Sequence, residues 1–536
     1  MKTSDAIIKS LLNEGVSVVF GYPGAAVIDL YESLRKSKIH HVLVRQEQAA
    51  VHSASGYART SGEVGVCIAT SGPGATNLIT GIATAYMDSI PLVIITGQVS
   101  SSKIGRDVFQ EADITGATES FTKHSYLVKN ENDLPRIIKE AFYIASTGRP
   151  GPVLIDIPSD IQAAKIEKAF LPESVDIRGY KPTTKGHIGQ IKRAVKAISD
   201  SKRPVIVAGG GVILSNAQAE LLNLVKKTGI PVVHTLMGKG SIPSFNKYNF
   251  GMIGNHGFSE ANRAVAKADL LVIIGARVAD RAWGGFADKI HNGIRIIHID
   301  VDPAEIGKNV GIQIPLVGDA KAILAQMAEK TEKLNTDEWL DQLRNNKAVN
   351  KRTNTDLVNP KFAIATISEK LNDEAIMVAD VGQNQIWAAR FFEDKIGRSF
   401  LTSGGLGTMG YGLPAAVGAK MAAPKRQVIA VVGDGGFQMS LHELGTISHN
   451  NLGIIILLFN NSRLGMVREM QDKFYGKLSA VELNKNPDFI KLCEAYGIKG
   501  VRVTTDSELG AAFDVAIKHK GPFLVECVVD PNESTL

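Results

Sequence analysis

Short apolar strands alternate with amphipathic helical stretches along the whole chain. The strand-like runs include VSVVF, VGVCIAT, PLVIITG, RPVIVAGGG, DLLVIIGAR, RQVIAVVGDGG and LGIIILLF. Runs that are apolar on both faces are typical of parallel strands covered by helices on each side. The longest, LGIIILLF, is too short to cross a bilayer and too rich in β-branched residues to favour a helix. The pattern predicts an α/β protein of Rossmann-like parallel sheets flanked by helices.

Two polar stretches with little strand pattern interrupt this alternation, at residues 167–185 and in TEKLNTDEWLDQLRNNKAVNKRTNTDLVNP before Lys361. Such stretches are typical of linkers, so we expect domains at 1–166, 186–335 and 360–536. The first and third domains share the order strand, glycine turn, helix, strand. That pattern alone leaves two interpretations open, distant copies of one unit or two ordinary Rossmann-like units.

Composition and charge narrow the class of protein. The chain has 536 residues, of which 44% are hydrophobic and 21% charged, which is too long for a single core. Its net charge of +6 is spread without a basic run, so we expect anionic small molecules as partners and neither nucleic acid nor a membrane. The first residues show neither the long apolar core nor the small-residue cleavage site of a signal peptide, so we expect no export. The three cysteines lie largely in apolar runs, so we expect a cytoplasmic protein with reduced thiols.

The strongest local motif is GDGGFQM at 433–439, which ends one apolar strand and is followed by a second strand ending in Asn460 and Asn461. Ligands bind in α/β sheets at the carboxyl ends of strands, where glycines let backbone amides approach phosphate oxygens. Asp434 and Asn461 offer the hard oxygen ligands that Mg²⁺ prefers. A lone GDGG is more often a tight turn, but an asparagine pair at this spacing is much more specific. The sequence therefore predicts a site for Mg²⁺ and a diphosphate.

Here the chain resembles the thiamine diphosphate enzymes and, among them, the large catalytic subunits of the acetohydroxyacid (acetolactate) synthase family, from near residue 1 to about 530. The resemblance implies that Asp434, Asn461 and the carbonyl of Arg463 hold Mg²⁺. It also implies that SGGLGTMGYGLPAA supports the thiazolium ring, with Met409 forcing a bent cofactor conformation. The other residues that it implies for the cofactor are Gln383, Asn384, Gly407, Gly433, Gly435, Gly436 and Met466.

A catalytic carboxylate is implied at Glu47, in VRQEQAAVHSASGYART. By position alone this glutamate would be a solvated residue of a first helical turn. The resemblance implies instead a buried carboxylate that bonds the pyrimidine ring of the cofactor, in a site assembled between two subunits. A homodimer or tetramer is thus expected. The residues implied to face the substrate nearby are Gly24, Phe109, Gln110 and Lys123, although Lys123 could also be a surface lysine.

The central domain begins with RPVIVAGGG, which alone is a weak dinucleotide signal. Together with HTLMGKG, GMIGNHG, IGARVADR, HIDVDPAEIGKN and VGD it resembles the FAD-binding segments of acetohydroxyacid synthases, in which FAD would be structural. The residues implied to bind FAD are Arg149, Gly209, Gly210, Gly211, Thr235, Leu236, Met237, His256, Gly275, Arg277, Asp280, Asp300 and Asp319. Arg281 and Met470 are implied at the entry for the second keto acid.

Several positions depart from the family pattern and lie near the implied active site: Ala25, Gln46, Asn255, Ala279, Asn384 and Met470. The leading hypothesis is decarboxylation of pyruvate and transfer of the two-carbon unit to a second pyruvate or to 2-ketobutyrate, in branched-chain amino-acid biosynthesis. A paralogue that uses another acceptor or releases an aldehyde is the enzyme alternative. A silent subunit is disfavoured because Glu47, Asp434, Asn461 and Met409 are retained. The family precedent also allows for a small regulatory subunit.

Overall fold

The structure, a computed structural model, describes residues 1–166, 172–283, 293–344 and 356–535. Within these ranges the strands form three sheets of six parallel strands, each flanked by helices. This architecture confirms the α/β class and the three Rossmann-like units that the sequence predicts. None of the helices in the described part of the chain is both long and apolar enough to span a membrane.

The first sheet lies between residues 18 and 158. Its strands are β1 (Val18–Tyr22), β2 (His40–Leu43), β3 (Gly65–Ala69), β4 (Leu92–Gln98), β5 (His124–Leu127) and β6 (Pro152–Pro158), in the order β2-β1-β3-β4-β6-β5. Its helices are Thr3–Asn13, Ile28–Arg35, Glu47–Ser61, Pro73–Thr76, Ile79–Asp88, Ile114–Thr118, Leu134–Ser146 and Ser159–Ala163. Short 3₁₀ turns occur at Ala25–Val27, Ser101–Lys103, Glu119–Phe121 and Glu131–Asp133.

The second sheet is ordered differently. Its strands are β7 (Pro204–Ala208), β8 (Val232–His234), β9 (Asn249–Met252), β10 (Leu270–Ile274), β11 (Arg295–Asp300) and β12 (Ile314–Val317), in the order β12-β11-β10-β7-β8-β9. Its described helices are Ile188–Ser199, Gly210–Leu214, Gln218–Thr228, Ser259–Lys267, Asp280–Trp283, Ala320–Lys330 and Asp337–Arg344, with a 3₁₀ turn at Leu236–Gly238. Read from the β9 edge, the strands stand in the order 3-2-1-4-5-6 of their succession in the sequence, which is typical of dinucleotide-binding sheets.

The third sheet repeats the order of the first. Its strands are β13 (Ile376–Ala379), β14 (Phe400–Thr402), β15 (Val428–Gly433), β16 (Ile454–Asn460), β17 (Lys499–Val503) and β18 (Phe523–Val528), in the order β14-β13-β15-β16-β18-β17. Its helices are Pro360–Lys370, Gln383–Phe391, Gly412–Ala422, Asp434–Ser440, Leu444–His449, Gly465–Tyr475, Phe489–Ala495 and Asp506–Lys518, with a 3₁₀ turn at Leu441–Glu443. The second sheet, which is also Rossmann-like, has a different strand order. The first and third units are therefore more alike than a shared Rossmann-like pattern alone would make them.

The predicted second linker is partly helical. Helix Asp337–Arg344 buries Trp339 and Leu343 against the second sheet, and the Trp339 indole nitrogen donates to the carbonyl of Pro204 at 3.2 Å. The packing of the central unit therefore continues past residue 335, where the sequence placed its end. Residues 167–171 and 345–355 of the two predicted linkers lie outside the described residues, and the domain boundaries stay predictions.

The first and third units pack through the backbones of two helices, Glu47–Ser61 and Gly412–Ala422. A Cβ atom on Gly56 would lie 2.0 Å from the carbonyl oxygen of Ala415, and one on Gly418 would lie 1.8 Å from that of Ser53. The Ser53 hydroxyl donates to the carbonyl of Pro414 at 2.9 Å in this buried contact. One apolar core runs through the contact and joins the two units.

Replacing Gly418 should test this contact. Gly418→Ala should lower the free energy of unfolding by about 1–3 kcal/mol or more, because the added methyl group forces the two helices apart. Gly510→Ala is the matched control, since a Cβ there meets no atom within 4 Å and lies in helix Asp506–Lys518. The control should be neutral or slightly stabilising. Equal thermal midpoints for both variants would contradict the close packing.

Candidate active site

The candidate active site lies at the carboxyl edge of the third sheet. Strands β13, β15 and β16 are neighbours in that sheet. Asp380 directly follows β13, and Asn461 directly follows β16. Asp434 begins the helix that follows β15. Since the ends of parallel strands meet at one edge, Asp434 and Asn461 come together as their spacing in the sequence predicts.

The oxygens around Asp434 suit a hard cation. The Asp434 carboxylate is only 2% exposed, and its Oδ2 accepts from the Asn486 amide at 2.7 Å. Burial raises the pKa of Asp434 to about 6. Asn461 Oδ1 accepts from the backbone N–H of Arg463 at 3.0 Å, which brings the carbonyl-bearing backbone of Arg463 close to the amide. Among the described residues, no group of three or more His, Cys, Asp or Glu side chains could hold a metal ion. A cation here would therefore be bound by Asp434 together with amide and carbonyl oxygens.

A tight cradle surrounds these oxygens. A Cβ atom on Gly465 would lie 1.9 Å from Gln383 Oε1, so the backbone occupies space that no side chain could share. Gln383 in turn accepts from the Asn461 amide at 3.0 Å. The Asn384 Oδ1 atom is buried without a hydrogen-bond partner in the described structure, so this amide retains capacity for a ligand. Its neighbours in the small cavity include Gly433, Gly435, Gly436, Met409 and Met466. The residues present therefore fit a bound diphosphate with its cation.

Two carboxylates that the sequence analysis missed hold the loop that carries Gly407 and Met409. Asp380 accepts from the backbone N–H of Gly410 at 2.9 and 3.0 Å, and Asp88 accepts from that of Gly405 at 2.7 Å. Burial raises the pKa of Asp380 to about 7. Asp380 follows β13 as Asp434 follows β15, so the same signal of a polar residue at a strand end could have found it. Asp88 ends a helix of the first unit and carries no comparable signal.

A second, larger cavity of about 680 Å³ lies between the second sheet and this loop. Nearly all the residues implied for FAD and the acceptor line it: Arg149, Gly210, Gly211, Thr235, Leu236, Met237, His256, Gly275, Arg277, Asp280, Asp300, Asp319, Arg281 and Met470. Gly407, Met409 and Met466 line its other end. Gly209 lies just behind the wall, where a Cβ would be 2.1 Å from the carbonyl oxygen of Gly275.

This cavity has the position and lining of a dinucleotide site. Its glycines follow β7 and β10, the two strands between which the order of the second sheet reverses, and ligands bind α/β sheets at that point. A Cβ on Gly211 would lie 2.7 Å from the Cα of Gly275, so two backbones meet there. Arg149 bonds Asp302 at 3.2 Å and Glu305 at 3.0 Å beside the cavity. Burial raises the pKa of Asp300 to about 6. The residues present fit a nucleotide-containing group such as FAD.

Glu47 lies apart from both cavities. It is the first residue of helix Glu47–Ser61, is half-buried within the single chain, and accepts from the Asn77 amide at 2.9 Å through Oε2. Asn77 carries no comparable signal in the sequence. The implied burial of Glu47 belongs to a site between two subunits and stays a prediction. Gln110 has a φ of 60° and packs against the backbone of Gly72, while Phe109 is 88% exposed.

Gly24 and Lys123, the other two residues implied to face the substrate, lie in different places. A Cβ on Gly24 would lie 2.5 Å from the Thr70 side chain, at the same edge of the first sheet as Gln110. The Lys123 ammonium instead donates to the carbonyls of Ile144 and Thr147, the latter at 2.8 Å. Burial lowers its pKa to about 8. Its bonds close the carboxyl end of helix Leu134–Ser146, so the structure does not bring Lys123 to Glu47 as the sequence analysis expects.

The chain is similar to known proteins along nearly its whole length. Three family models match the chain: the N-terminal TPP binding domain of thiamine pyrophosphate enzymes over residues 1–117, their central domain over 191–327, and their C-terminal TPP binding domain over 380–527. The chain is 48% identical to the probable acetolactate synthase large subunit of Methanocaldococcus jannaschii, over 100% of this chain and 93% of that protein. It is 46% identical to the acetolactate synthase large subunit of Corynebacterium glutamicum, over 99% and 87%. It is 43% identical to the acetolactate synthase isozyme 3 large subunit of Escherichia coli, over 99% and 95%.

Proposed function

The chain belongs to the thiamine pyrophosphate enzymes and, among them, to the acetolactate synthase large-subunit family, and from this premise we propose its reaction. The chain is the catalytic subunit that decarboxylates pyruvate and transfers the two-carbon unit to a second pyruvate or to 2-ketobutyrate, in branched-chain amino-acid biosynthesis. The observation that carries the proposal is the meeting of Asp434 and Asn461 at adjacent strand ends, beside Met409 and the large cavity. A silent subunit would have no use for a buried acid in this cavity, where its main partner is the neutral Asn486 amide.

Asp434, Asn461 and the carbonyl of Arg463 would hold Mg²⁺, and the Asn384 amide with the backbone of the GDGG turn would bind the diphosphate. Bound thiamine diphosphate supplies the electron sink that decarboxylation of a 2-keto acid requires. Met409 would support the cofactor from the loop that Asp380 holds by the amide of Gly410. The protein's own part in the reaction is therefore to anchor the charge and fix the shape of the site.

Glu47 would exchange a proton with the pyrimidine ring of the cofactor. Asn77 bonds its Oε2, while Gly74 places no side chain against its Oε1, where a Cβ would come within 3.3 Å. The hydrogen bond from Asn77 therefore orients Oε2, and the lack of a side chain on Gly74 keeps Oε1 accessible. Because Glu47 lines neither cavity of its own chain, we propose that it completes the site of a second copy in a homodimer or tetramer. Phe109 and Gln110 would face the substrate from the same side.

The large cavity would hold FAD in a structural role, since neither decarboxylation nor carboligation needs a redox carrier. Gly210, Gly211 and Gly275 would admit the pyrophosphate to the backbone, with Arg149 and Arg277 near its charge. Arg281 would bind the carboxylate of the acceptor. A small regulatory subunit is part of this proposal, because the relatives are named as large subunits. We also propose a cytoplasmic location, which suits the three free, buried cysteines.

The central test is acetolactate formation from pyruvate with thiamine diphosphate and Mg²⁺. Asp434→Ala should abolish it and weaken cofactor binding in calorimetry by about tenfold or more, because the diphosphate then lacks its charge-neutralising cation. Asp472→Ala, which removes an exposed carboxylate from helix Gly465–Tyr475, is the matched control and should leave both unchanged. Unaltered cofactor affinity in Asp434→Ala would contradict the assignment of the metal site.

The purified protein should carry a flavin absorption spectrum, and borohydride should bleach it without a proportional loss of acetolactate formation. Gly211→Ala should lose the bound flavin, because its methyl group would press on the backbone of Gly275. Flavin retention is measured from the spectrum after gel filtration, independently of activity. A colourless wild-type protein with full activity would remove FAD from the proposal.

Met470 should weaken the preference for 2-ketobutyrate over pyruvate relative to enzymes that have Trp at this position. It lines the cavity beside Met466, and a flexible side chain gives the extra methyl group of 2-ketobutyrate less flat surface to contact. One methylene is worth about 1–3 kcal/mol at most, so Met470→Trp should raise the preference severalfold in competition assays with both acceptors. An unchanged product ratio in Met470→Trp would exclude Met470 from the acceptor pocket.

A further inference from the structure

Glu443 is a buried acid of the third unit that none of the assigned roles uses. It ends the 3₁₀ turn Leu441–Glu443, which follows helix Asp434–Ser440, and its side chain is fully buried. Its Oε1 accepts from the backbone N–H of Arg45 at 2.8 Å, and its Oε2 accepts from the Thr446 hydroxyl at 2.6 Å. Burial raises the pKa of Glu443, while hydrogen bonds from Thr446 and from the backbones of Arg45 and Gln46 oppose that rise.

The surrounding contacts join the same two segments. The Arg45 guanidinium donates to the carbonyl of Gly445 at 3.2 Å and to that of Leu43 at 2.9 Å. The Thr446 hydroxyl lies 3.3 Å from the same Leu43 carbonyl oxygen. The segment between β2 and helix Glu47–Ser61 is thus bonded to a turn of the third unit by side chains from both. His442 Nε2, at 3.6 Å from Glu443 Oε1, is the other titratable group that faces it.

The start of helix Glu47–Ser61 has no side-chain cap of its own. Its N-cap residue is Gln46, which has an extended backbone and makes no capping hydrogen bond with its side chain. Ser, Thr, Asp and Asn are the residues that usually cap a helix locally, and none stands at this position. The backbone amides of Arg45 and Gln46, which precede Glu47, instead donate to the carboxylate of Glu443. A charged acceptor makes shorter and stronger hydrogen bonds with amides than a neutral one does.

We propose that Glu443 is a positioning residue for Glu47: it fixes the two residues that precede the catalytic carboxylate, and thereby the place from which that carboxylate reaches the cofactor. The proposal rests on the proposed function, in which Glu47 exchanges a proton with thiamine diphosphate. Glu443 touches neither substrate nor cofactor and acts through the backbone of Arg45 and Gln46. Its effect should therefore appear in the proton exchange assigned to Glu47 and not in cofactor affinity.

The test measures exchange of the thiazolium C2 proton of bound thiamine diphosphate with deuterium, by quenched-flow NMR on the full-length protein. Glu443→Ala should slow the exchange and lower kcat together by about tenfold or more, because small misplacements of a catalytic group are costly. Its KM for pyruvate and its cofactor affinity should stay within about twofold of wild type. Glu443→Gln should slow the exchange by about two- to fivefold, because its amide keeps an acceptor for Arg45 but loses the charge.

Two comparisons separate positioning from a general loss of structure. Asp394→Ala removes another buried carboxylate of the third unit, one that pairs with Lys239 at 2.7 Å, and it should lower the thermal midpoint without slowing C2 exchange. In a Glu47→Gln background, Glu443→Ala should have no further effect on the residual exchange, because the residue it positions is already disabled.

Wild-type exchange in a folded Glu443→Gln variant would overturn the proposal, and this arm decides it even if Glu443→Ala does not fold. So would an equal slowing by Glu443→Ala in the wild-type and Glu47→Gln backgrounds, since Glu443 would then act independently of Glu47. Unchanged exchange in Glu47→Gln itself would instead overturn the proposed function, and this proposal with it.

Discussion

The backbones of helices Glu47–Ser61 and Gly412–Ala422 touch directly, and this contact fixes how the first and third units pack against each other. Gly56 and Gly418 let the carbonyls of Ala415 and Ser53 approach where a side chain would collide. With the helices in contact, the apolar core is shared between the first and third units, and neither can shift without opening it. Glu47 begins one of these helices, so its position relative to the third sheet is fixed by packing far from the site. In this packing Glu47 lines neither the small cavity at Asp434 nor the large cavity of the second sheet.

Buried carboxylates organise the chemistry that this framework surrounds. Asp380 and Asp88 hold the loop around Met409 by its backbone amides, and Glu443 holds the residues before Glu47 in the same way. Asp434 differs from them in its surroundings, because it lines the small cavity together with Asn461 and Asn384. Burying an acid without a cation is costly, and its raised pKa reflects that cost. A divalent cation in that cavity would remove the cost at Asp434, whereas the carboxylates of Asp380, Asp88 and Glu443 are occupied by backbone amides.

The sequence predicts the parts of the protein that local patterns determine. Strand composition and the glycine turns indicate three parallel sheets, and Asp434 with Asn461 can be recognised because each follows a strand directly. Asp88, Glu443 and Asn77 escape such reasoning, since each acquires its partner only when distant segments fold together. Lys123 lies in a stretch that matches a family motif, but its ammonium bonds carbonyls at a helix end in the single chain, and its active-site role stays a prediction. Helix Asp337–Arg344 was hidden by its polar neighbours, although Trp339 and Leu343 lie at the spacing of one helical face.

In the proposed assembly, one chain supplies Glu47 to one active site and Asp434 to another. The most direct test is to co-express Glu47→Gln and Asp434→Ala chains carrying different affinity tags, isolate the mixed oligomers, and measure acetolactate formation. In a mixed dimer one site receives both defects and the other receives none. Random pairing of the two inactive chains should therefore restore about a quarter of wild-type activity, and purified mixed dimers about half. If each chain instead built its site alone, every site would carry a defect, and mixed oligomers as inactive as the two parents would contradict the claim.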